Sequence, residues 1–357
     1  MKKITFFINN MYTDGGTERV VSLIANELSK KNEVEIVSLC KTEDKPFYKL
    51  SEKIKLYNIM EEETKKLAKN IMKVRAQVKK FFKNRKMDVF ISAGMRYIGL
   101  TIFMRKKAKY IAWEHYNSAI TKFGTLTWFG RILAAKYAHK IVVLTEKDRK
   151  NNIKMFKTKE EKIKQIYNPI QVVKLDEAYN INSKKIVTCG RICNQKGYDM
   201  LVEVANKVFE KHPDWQWHIY GEGEDRKKIE DLIEQYKLQD NVKLMGRTNK
   251  MNELYKEYAM YVMTSRYEGF AMVNIEAHFA KLPIVSFNCN CGPDEIIQDD
   301  VNGYIVDCFD IDKMAEKINT LIENPTLRQK MSDDTMLDKD KLKMENIIRK
   351  WEKLINE

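Results

Sequence analysis

Short runs rich in β-branched and aromatic residues alternate with helix-period segments along the whole chain, and that alternation limits the fold more than any other feature. The first series is KITFFIN (3–9), EVEIVSL (33–39), DVFIS (88–92), KYIAW (109–113) and KIVVL (140–144). A second follows: KIVTC (185–189), WQWHIY (215–220), VKLM (242–245), MYVM (260–263) and PIVSF (283–287). Between them lie segments such as ERVVSLIANELSKK, whose Val20, Val21, Leu23, Ile24 and Leu28 fall on one helical face. Strands separated by helices pair in parallel, and the helices then cover both faces of the sheet. The expected fold class is α/β.

The alternation breaks at QVVKLDEAYNINSKK (171–185), a polar stretch without sustained periodicity, and restarts beyond it. FFINNMYTDGGTERVVSLIANEL and IVTCGRICNQKGYDMLVEVANKVF each read strand, Gly-containing loop, amphipathic helix. At 357 residues the chain has room for two cores. Two doubly wound, Rossmann-like domains are therefore expected, residues 1–170 and 171–341, facing each other across a cleft with ligands near the carboxyl ends of the strands. The last segment, KMENIIRKWEKLINE, aligns Ile347, Ile348, Trp351, Leu354 and Ile355, so a helix over about 342–357 is expected to pack back on the first domain.

Charge is unevenly shared. Residues 1–170 hold 37 Lys+Arg against 17 Asp+Glu, a balance of +20, and the remainder of the chain carries −6, which together make the net +14. The first half is thus suited to a polyanionic surface. Its densest stretch, Lys65 to Lys86, has ten Lys+Arg and no acid, with Leu67, Ile71, Val74, Val78 and Phe81 at helical spacing. Anionic lipid headgroups are the favoured partner over a merely solvated basic face. Nucleic acid is not expected, because no recognised binding module accompanies the charge. No apolar run approaches the roughly 20 residues that span a bilayer, and MKKITFFINN lacks a signal-peptide pattern, so a cytoplasmic chain is expected. The six cysteines lack zinc-ligand spacing and are expected to be reduced.

Several loops carry residue types suited to a phosphorylated ligand. Thr13 to Arg19 places Gly15 and Gly16 where the first helix opens, either as a phosphate cradle or as a tight turn needing positive φ. Arg191 and Lys196 follow the strand KIVTC; either alone reads as a solvated surface cation, but the two in one strand-to-helix loop could neutralise a diphosphate without a metal. In SRYEGFAMVNIEA (265–277), Glu268 precedes a helix expected to start near Ala271, and Glu276 lies inside it. The two acids either hold sugar or ribose hydroxyls or serve as a dipole partner and a solvated side chain. The N–H groups of Gly269, Phe270 and Ala271 offer a second phosphate cradle. Gly221 to Glu224 reads as a structural turn, and Asp310 and Asp312 as a helix cap; Asp338 and Asp340 repeat the same D-x-D spacing, and none is taken as a metal ligand. A single histidine is more often structural, but His115, in WEHYN (113–117) at a strand end, is the best placed of the five to meet a substrate hydroxyl.

Taken in order, GGTERV (15–20), WEHYN, NPI (168–170), GRICNQKGYDML (190–201), YGEGEDRKKIEDL (220–232), SRYEGFAMVNIEA and GPDEII followed by NGYIV (292–306) resemble one family over nearly the whole chain. It is the class of retaining glycosyltransferases with the GT-B fold and an E-x7-E motif, glycosyltransferase family 4. The resemblance implies a nucleotide-sugar donor, with UDP as the expected base, and no cofactor or metal. It places Arg191 and Lys196 on the diphosphate, Glu276 on the ribose, and Glu268 and His115 beside the donor sugar. Backbone from Gly269 to Met272 would hold sugar and phosphate oxygens, and Gly16 would approach the diphosphate. Where the family commonly has E-G-F-P, this sequence has Ala271, which removes a stiff helix start.

The same resemblance implies transfer of a hexose or N-acetylhexosamine with retained configuration to a saccharide acceptor. With the basic first half, it suggests a lipid-linked acceptor of bacterial surface glycans and an enzyme peripheral on the cytoplasmic membrane face. The rivals are a nucleotide-sugar epimerase of similar fold, a nicotinamide-dependent oxidoreductase, and a noncatalytic basic binder. The incomplete dinucleotide fingerprint weakens the oxidoreductase.

Overall fold

A computed structural model describes residues 1–62, 67–170, 180–334 and 339–357. The chain divides into two compact units, Met1–Gln171 with Asp340–Glu357, and Val172–Lys339. Most of the polar break, residues 171–179, lies outside the described residues, as do Thr64 to Lys66 of the basic segment and Asp338.

The first unit contains seven parallel strands: β1 (Lys3–Asn10), β2 (Glu33–Cys40), β3 (Lys55–Met60), β4 (Val89–Ala93), β5 (Lys109–Trp113), β6 (Lys140–Val143) and β7 (Ile163–Gln165). They are ordered β3-β2-β1-β4-β5-β6-β7. The second contains β8 (Lys185–Cys189), β9 (Gln216–Tyr220), β10 (Val242–Gly246), β11 (Met260–Met263), β12 (Ile284–Phe287) and β13 (Gly303–Val306), ordered β10-β9-β8-β11-β12-β13. Each sheet reverses its winding once, between β1 and β4 and between β8 and β11. Connections leave in opposite directions there, which opens a crevice beyond the carboxyl ends of those strands.

Central strands are covered on both faces, which is why their sequences are continuously apolar rather than alternating. Ile4 to Ile8 of β1 and Val34 to Cys40 of β2 are all buried. Glu35 is the charged exception: Thr5 donates to it at 2.7 Å, and Arg85 and Lys3 lie 3.4 and 3.8 Å away. Strands β3, β7 and β13 were outside the sequence expectation. β3 is an exposed to half-buried edge strand without an apolar rhythm, β7 has three residues, and β13 four.

Helix packing follows the periodicity closely. In Gly16–Leu28, Val20, Val21, Ile24 and Leu28 are buried while Leu23 is half-buried, Ser22 and Ala25 completing the inward face instead. Rings of Phe7, Phe82, Phe90 and Tyr110 pack in sequence through the core of the first unit, with centroids 5.4–6.5 Å apart. The last helix, Met344–Asn356, completes that unit: Trp351 meets Trp113 at 4.7 Å, and Lys2 and Lys109 donate to the Ile355 and Leu354 carbonyls at 2.8 and 2.5 Å. Those two lysines cap its final carbonyls, the arrangement the helix dipole favours. Ile348 is half-buried beside the buried Ile347, Trp351, Leu354 and Ile355. No helix among the described residues is long and apolar enough to cross a membrane.

Candidate active site

The winding reversal of the second sheet is where Lys196, Glu268 and Glu276 gather. After β8 the chain passes through Gly190, at φ +150°, and reaches Gly197, at φ +65°, before the helix Tyr198–Phe209. A Cβ on Gly197 would collide with the Thr264 carbonyl that leaves β11, so only glycine lets the two loops touch. Their contact is fixed by hydrogen bonds: Arg266 N to Gln195 O at 2.8 Å, Gln195 Nε2 to Tyr267 O at 3.1 Å, and Thr264 Oγ1 to Lys196 O at 3.2 Å. Arg266 also grips Asp199 through two nitrogens at 2.8 and 2.9 Å. Burial alone would raise the Asp199 carboxyl, but Arg266 and Lys228 hold it down at about 2.

The joined loops carry Lys196 Nζ to 2.7 Å from Glu268 Oε1, and Ser265 Oγ donates to the same oxygen at 2.6 Å. The side chains are only 18% and 7% exposed, so water screens the pair weakly. Burial works against the Lys196 ammonium, yet the neighbouring carboxylate outweighs it and its pKa lies above the ordinary lysine value. Glu276, eight residues on in the helix Met272–Phe279, is also buried, with the Tyr255 hydroxyl at 3.4 Å. That hydroxyl sits 3.2 Å from Cys189 Sγ, which places Glu276 at the carboxyl end of β8. Burial, and then the Glu276 charge, push the Cys189 thiol up to about 11. None of the six cysteines is in a disulfide.

Between the acids the backbone is unusual. Phe270 and Ala271 are buried, Gly269 and Met272 half-buried, and Ala271 takes φ +45° before the helix begins. Proline is held near φ −65°, so the family's E-G-F-P form could not adopt this turn. The alanine is therefore more than the loss of a stiff start: it permits a left-handed entry.

Arg191 is not brought to Lys196. Its side chain is 72% exposed and paired with Glu224 at 3.1 Å. The turn that supplies Glu224 is structural as expected, since a Cβ on Gly221 or Gly223 would strike the Gly190 or Ile192 carbonyl. Likewise Asp310 caps the helix Ile311–Glu323, accepting from Lys313 N at 2.9 Å.

In the first unit the tight-turn reading of the glycine pair fails, because Gly15 caps the helix at φ −71° and neither glycine has positive φ. A Cβ on Gly16 would meet no atom within 4 Å, which leaves open space at that helix start. His115 follows β5, buried beside Trp113 at 4.4 Å, and its Nε2 has no hydrogen-bond partner among the described residues. Burial drives its pKa down to about 3, so the ring is neutral at physiological pH.

Sequence inspection did not single out the groups that hold this loop. Glu114 Oε1 accepts the His115 and Tyr116 amides at 3.1 and 3.0 Å, while its other oxygen meets Arg131 Nε at 2.6 Å in a pair whose side chains are each 1% exposed. Asp148 receives the Ser118 amide at 2.8 Å and its hydroxyl as well, and burial followed by the Glu114 charge raises the Asp148 carboxyl to about 6. Glu114 sits inside WEHYN and was within reach of inspection; Arg131 and Asp148 carry no local signal, being joined to the loop only by folding. In the second unit Tyr255 was missed for the same reason, whereas Ser265, three residues before Glu268 in SRYEGF, was within reach.

Comparison with known proteins agrees along the whole length. Residues 14–174 match the model of Glycosyltransferase Family 4, and residues 174–336 that of Glycosyl transferases group 1. An uncharacterized glycosyltransferase of Haemophilus influenzae is 32% identical over 99% of this chain and 100% of its own. The amylovoran biosynthesis glycosyltransferase AmsD of Erwinia amylovora is 27% identical, with both chains covered completely. Among solved structures, S. aureus TarM in complex with fondaparinux, α-GlcNAc-glycerol and UDP superposes with a TM-score of 0.85 at 20% identity over 100% of both chains. The chain belongs to the GT-B glycosyltransferases, with a family 4 region followed by a group 1 region.

Proposed function

We propose that this glycosyltransferase moves a hexose or N-acetylhexosamine from a UDP-sugar to a saccharide acceptor, with retention and without a metal. The observation that carries the proposal is the buried Lys196–Glu268 pair, with Glu276 nearby, at the winding reversal of the second sheet. In this reading Lys196 neutralises the departing diphosphate, Arg191 swings from its exposed contact with Glu224 to assist, and Glu276 and Glu268 accept from ribose and sugar hydroxyls. Amides from Gly269 to Met272 bind the remaining oxygens, and the open space at Gly16 admits a ligand. Neutral His115, with its free Nε2, hydrogen-bonds a sugar hydroxyl.

The bond from the anomeric carbon to the diphosphate oxygen breaks as the acceptor oxygen attacks from the same face, and the acceptor proton passes to the leaving diphosphate. Charge stabilisation of that leaving group is the main catalytic contribution, and the loss of one such donor costs about 10²–10³ in turnover. The UDP assignment is supported by solved relatives of low identity, S. aureus TarM and Anabaena HepE, both bound to UDP. Surface-glycan relatives include a poly(ribitol-phosphate) α-N-acetylglucosaminyltransferase of Staphylococcus aureus and a Campylobacter jejuni transferase acting on an undecaprenol-linked saccharide. With the basic first unit, they support a lipid-linked acceptor and a peripheral position at the cytoplasmic membrane face.

Thermal shifts with UDP, GDP, ADP and NAD, each with and without EDTA, test the donor side, because a ligand of the native state raises its stability. Stabilisation by UDP that survives EDTA is expected; stabilisation by NAD alone would reject the proposal. Proton NMR of the product's anomeric centre tests retention. Conversion of the sugar without any acceptor would identify an epimerase instead.

A further inference from the structure

The helix Leu126–Tyr137 of the first unit is apolar on its outward side as well as on the side packed against the core. Gly130 presses on the chain at Met95, where a Cβ would strike the Met95 carbonyl, and Ala134 is fully buried, so this side faces inward. The opposite, outward side carries Phe129 and Ile132, with Lys136 one turn further. Just before the helix stands Phe123, 83% exposed, and its ring meets Trp128 at 4.5 Å, which in turn meets Phe129 at 4.9 Å. Phe129 is 51% exposed and Ile120, in the same loop, 41%. Three linked aromatic rings form an apolar cluster on a solvent face, with two exposed isoleucines on the same loop and helix, and such a cluster on a water-exposed protein marks an interaction site.

What surrounds the patch identifies its partner. The basic helix Leu67–Phe81 lies on the same side of the sheet: the side chains of its Ile71 and of Leu133 both reach to within about 4 Å of where a Cβ on Gly99 would stand. On that helix Lys69, Met72 and Lys73 are exposed, Met72 to 74%. From residue 67 to 145 there are seventeen Lys+Arg and two acids, Asp88 and the buried Glu114. Trp and Phe prefer the headgroup level of a bilayer, and lysines around them are attracted to anionic lipid. The excess of basic charge around the rings favours an anionic lipid surface as the occupant.

We infer that Ile120, Phe123, Trp128, Phe129 and Ile132 form a wedge that inserts into the headgroup region of an anionic bilayer, with the basic helix beside it held against the surface. The wedge begins a few residues after His115, so insertion brings the membrane plane to the same strand end that the proposed function gives to the sugar. The inference deepens the membrane-side reading above and rests on it.

Vesicles of phosphatidylcholine and phosphatidylglycerol, with and without brominated acyl chains, test it. Trp128 alone among the five tryptophans is not buried, so short-range quenching from brominated acyl chains reports the patch. The wild-type protein should co-sediment with the vesicles, retain part of that binding in 0.5 M NaCl (about three times physiological ionic strength, which suppresses surface electrostatics), and be quenched by bromine. Phe123→Ser/Phe129→Ser/Ile132→Asn should lose the salt-resistant binding and the quenching by roughly tenfold or more, with an unchanged circular dichroism spectrum and UDP thermal shift. Binding and quenching that survive the triple change would overturn the wedge but leave the membrane-side reading standing. No vesicle binding by the wild-type protein would remove both. A concentration-dependent dimer in sedimentation velocity, abolished by the triple change while vesicle binding persists, would assign the patch to a second copy of the chain and overturn the wedge.

Discussion

Removing one member of the buried Lys196–Glu268 pair is predicted to hurt folding more than removing both. In Glu268→Gln the Lys196 ammonium keeps a hydrogen-bond acceptor at about the same place but loses its counter-charge, in a pocket where its side chain is 18% exposed. Breaking a buried ion pair on one side costs about 3–5 kcal/mol, and the retained hydrogen bond returns about 1 kcal/mol. A loss of about 2–4 kcal/mol should result, or roughly 5–15 °C in melting temperature for a unit of this size. Lys196→Met leaves the carboxylate with Ser265 as its remaining partner and should cost about 3 kcal/mol. The double variant, with both charges of the pair gone, should cost only about 1–2 kcal/mol, a coupling well beyond the roughly 0.5 kcal/mol within which independent sites add.

The pH dependence sharpens the test. In the wild-type protein the Lys196 pKa is raised, so its contribution is complete below the unfolded lysine value and fades as pH rises through the folded one. In Glu268→Gln burial acts without the opposing carboxylate and the folded pKa drops, so stability should rise toward high pH. The gap between the two proteins should narrow from pH 7 to pH 9.5 in urea unfolding followed by fluorescence. Additive single changes, or a gap independent of pH, would refute the coupling inferred from the 2.7 Å contact.

Three further outcomes are expected. Gly197→Ala, forced to φ +65° with its Cβ against Thr264 O, should lose roughly 3 kcal/mol and most turnover, because the two site loops no longer meet; differential scanning calorimetry and initial rates check it. Ala271→Gly should stabilise by about 1 kcal/mol, since glycine takes φ +45° freely, whereas Ala271→Pro should cost at least about 3 kcal/mol and abolish the UDP thermal shift. For Asp148, a folded pKa of about 6 against an ordinary 3.8 means that its stability contribution is full below 3.8 and is lost as pH rises to 6. Ionisation then costs about 3 kcal/mol at pH 7, roughly half of which is recovered at pH 5, and Asp148→Asn should flatten that slope in unfolding measurements.

What could be seen in the sequence was whatever chemistry writes locally. The buried central strands announce themselves because both faces are apolar, as in ITFFI of β1 and the fully buried MYVM of β11. The edge strand β3, KLYNIM, is half wet and mixes lysine and asparagine with its apolar residues, so no period survives. Glu268, Glu276 and Lys196 were legible because each sits in a strand-to-helix loop or helix start with a glycine beside it or an apolar frame around it. Their 2.7 Å meeting was not, since 72 residues separate Lys196 from Glu268 and only the adjacency of β8 and β11 joins them. Arg191 is the converse case: closeness in sequence to Lys196 suggests shared duty, but in this structure a glutamate from the next turn pairs with it at the surface.

The closing helix has a consequence for how the protein is made. Trp351, Leu354 and Ile355 fill the core of a unit whose sheet was finished almost two hundred residues earlier at Gln165. During synthesis that first sheet must therefore wait, with Trp113 uncovered, while the second unit, contiguous in sequence, emerges complete ahead of it. The part translated first is then the last to become whole, and for the duration of translation its exposed core is what a chaperone would hold.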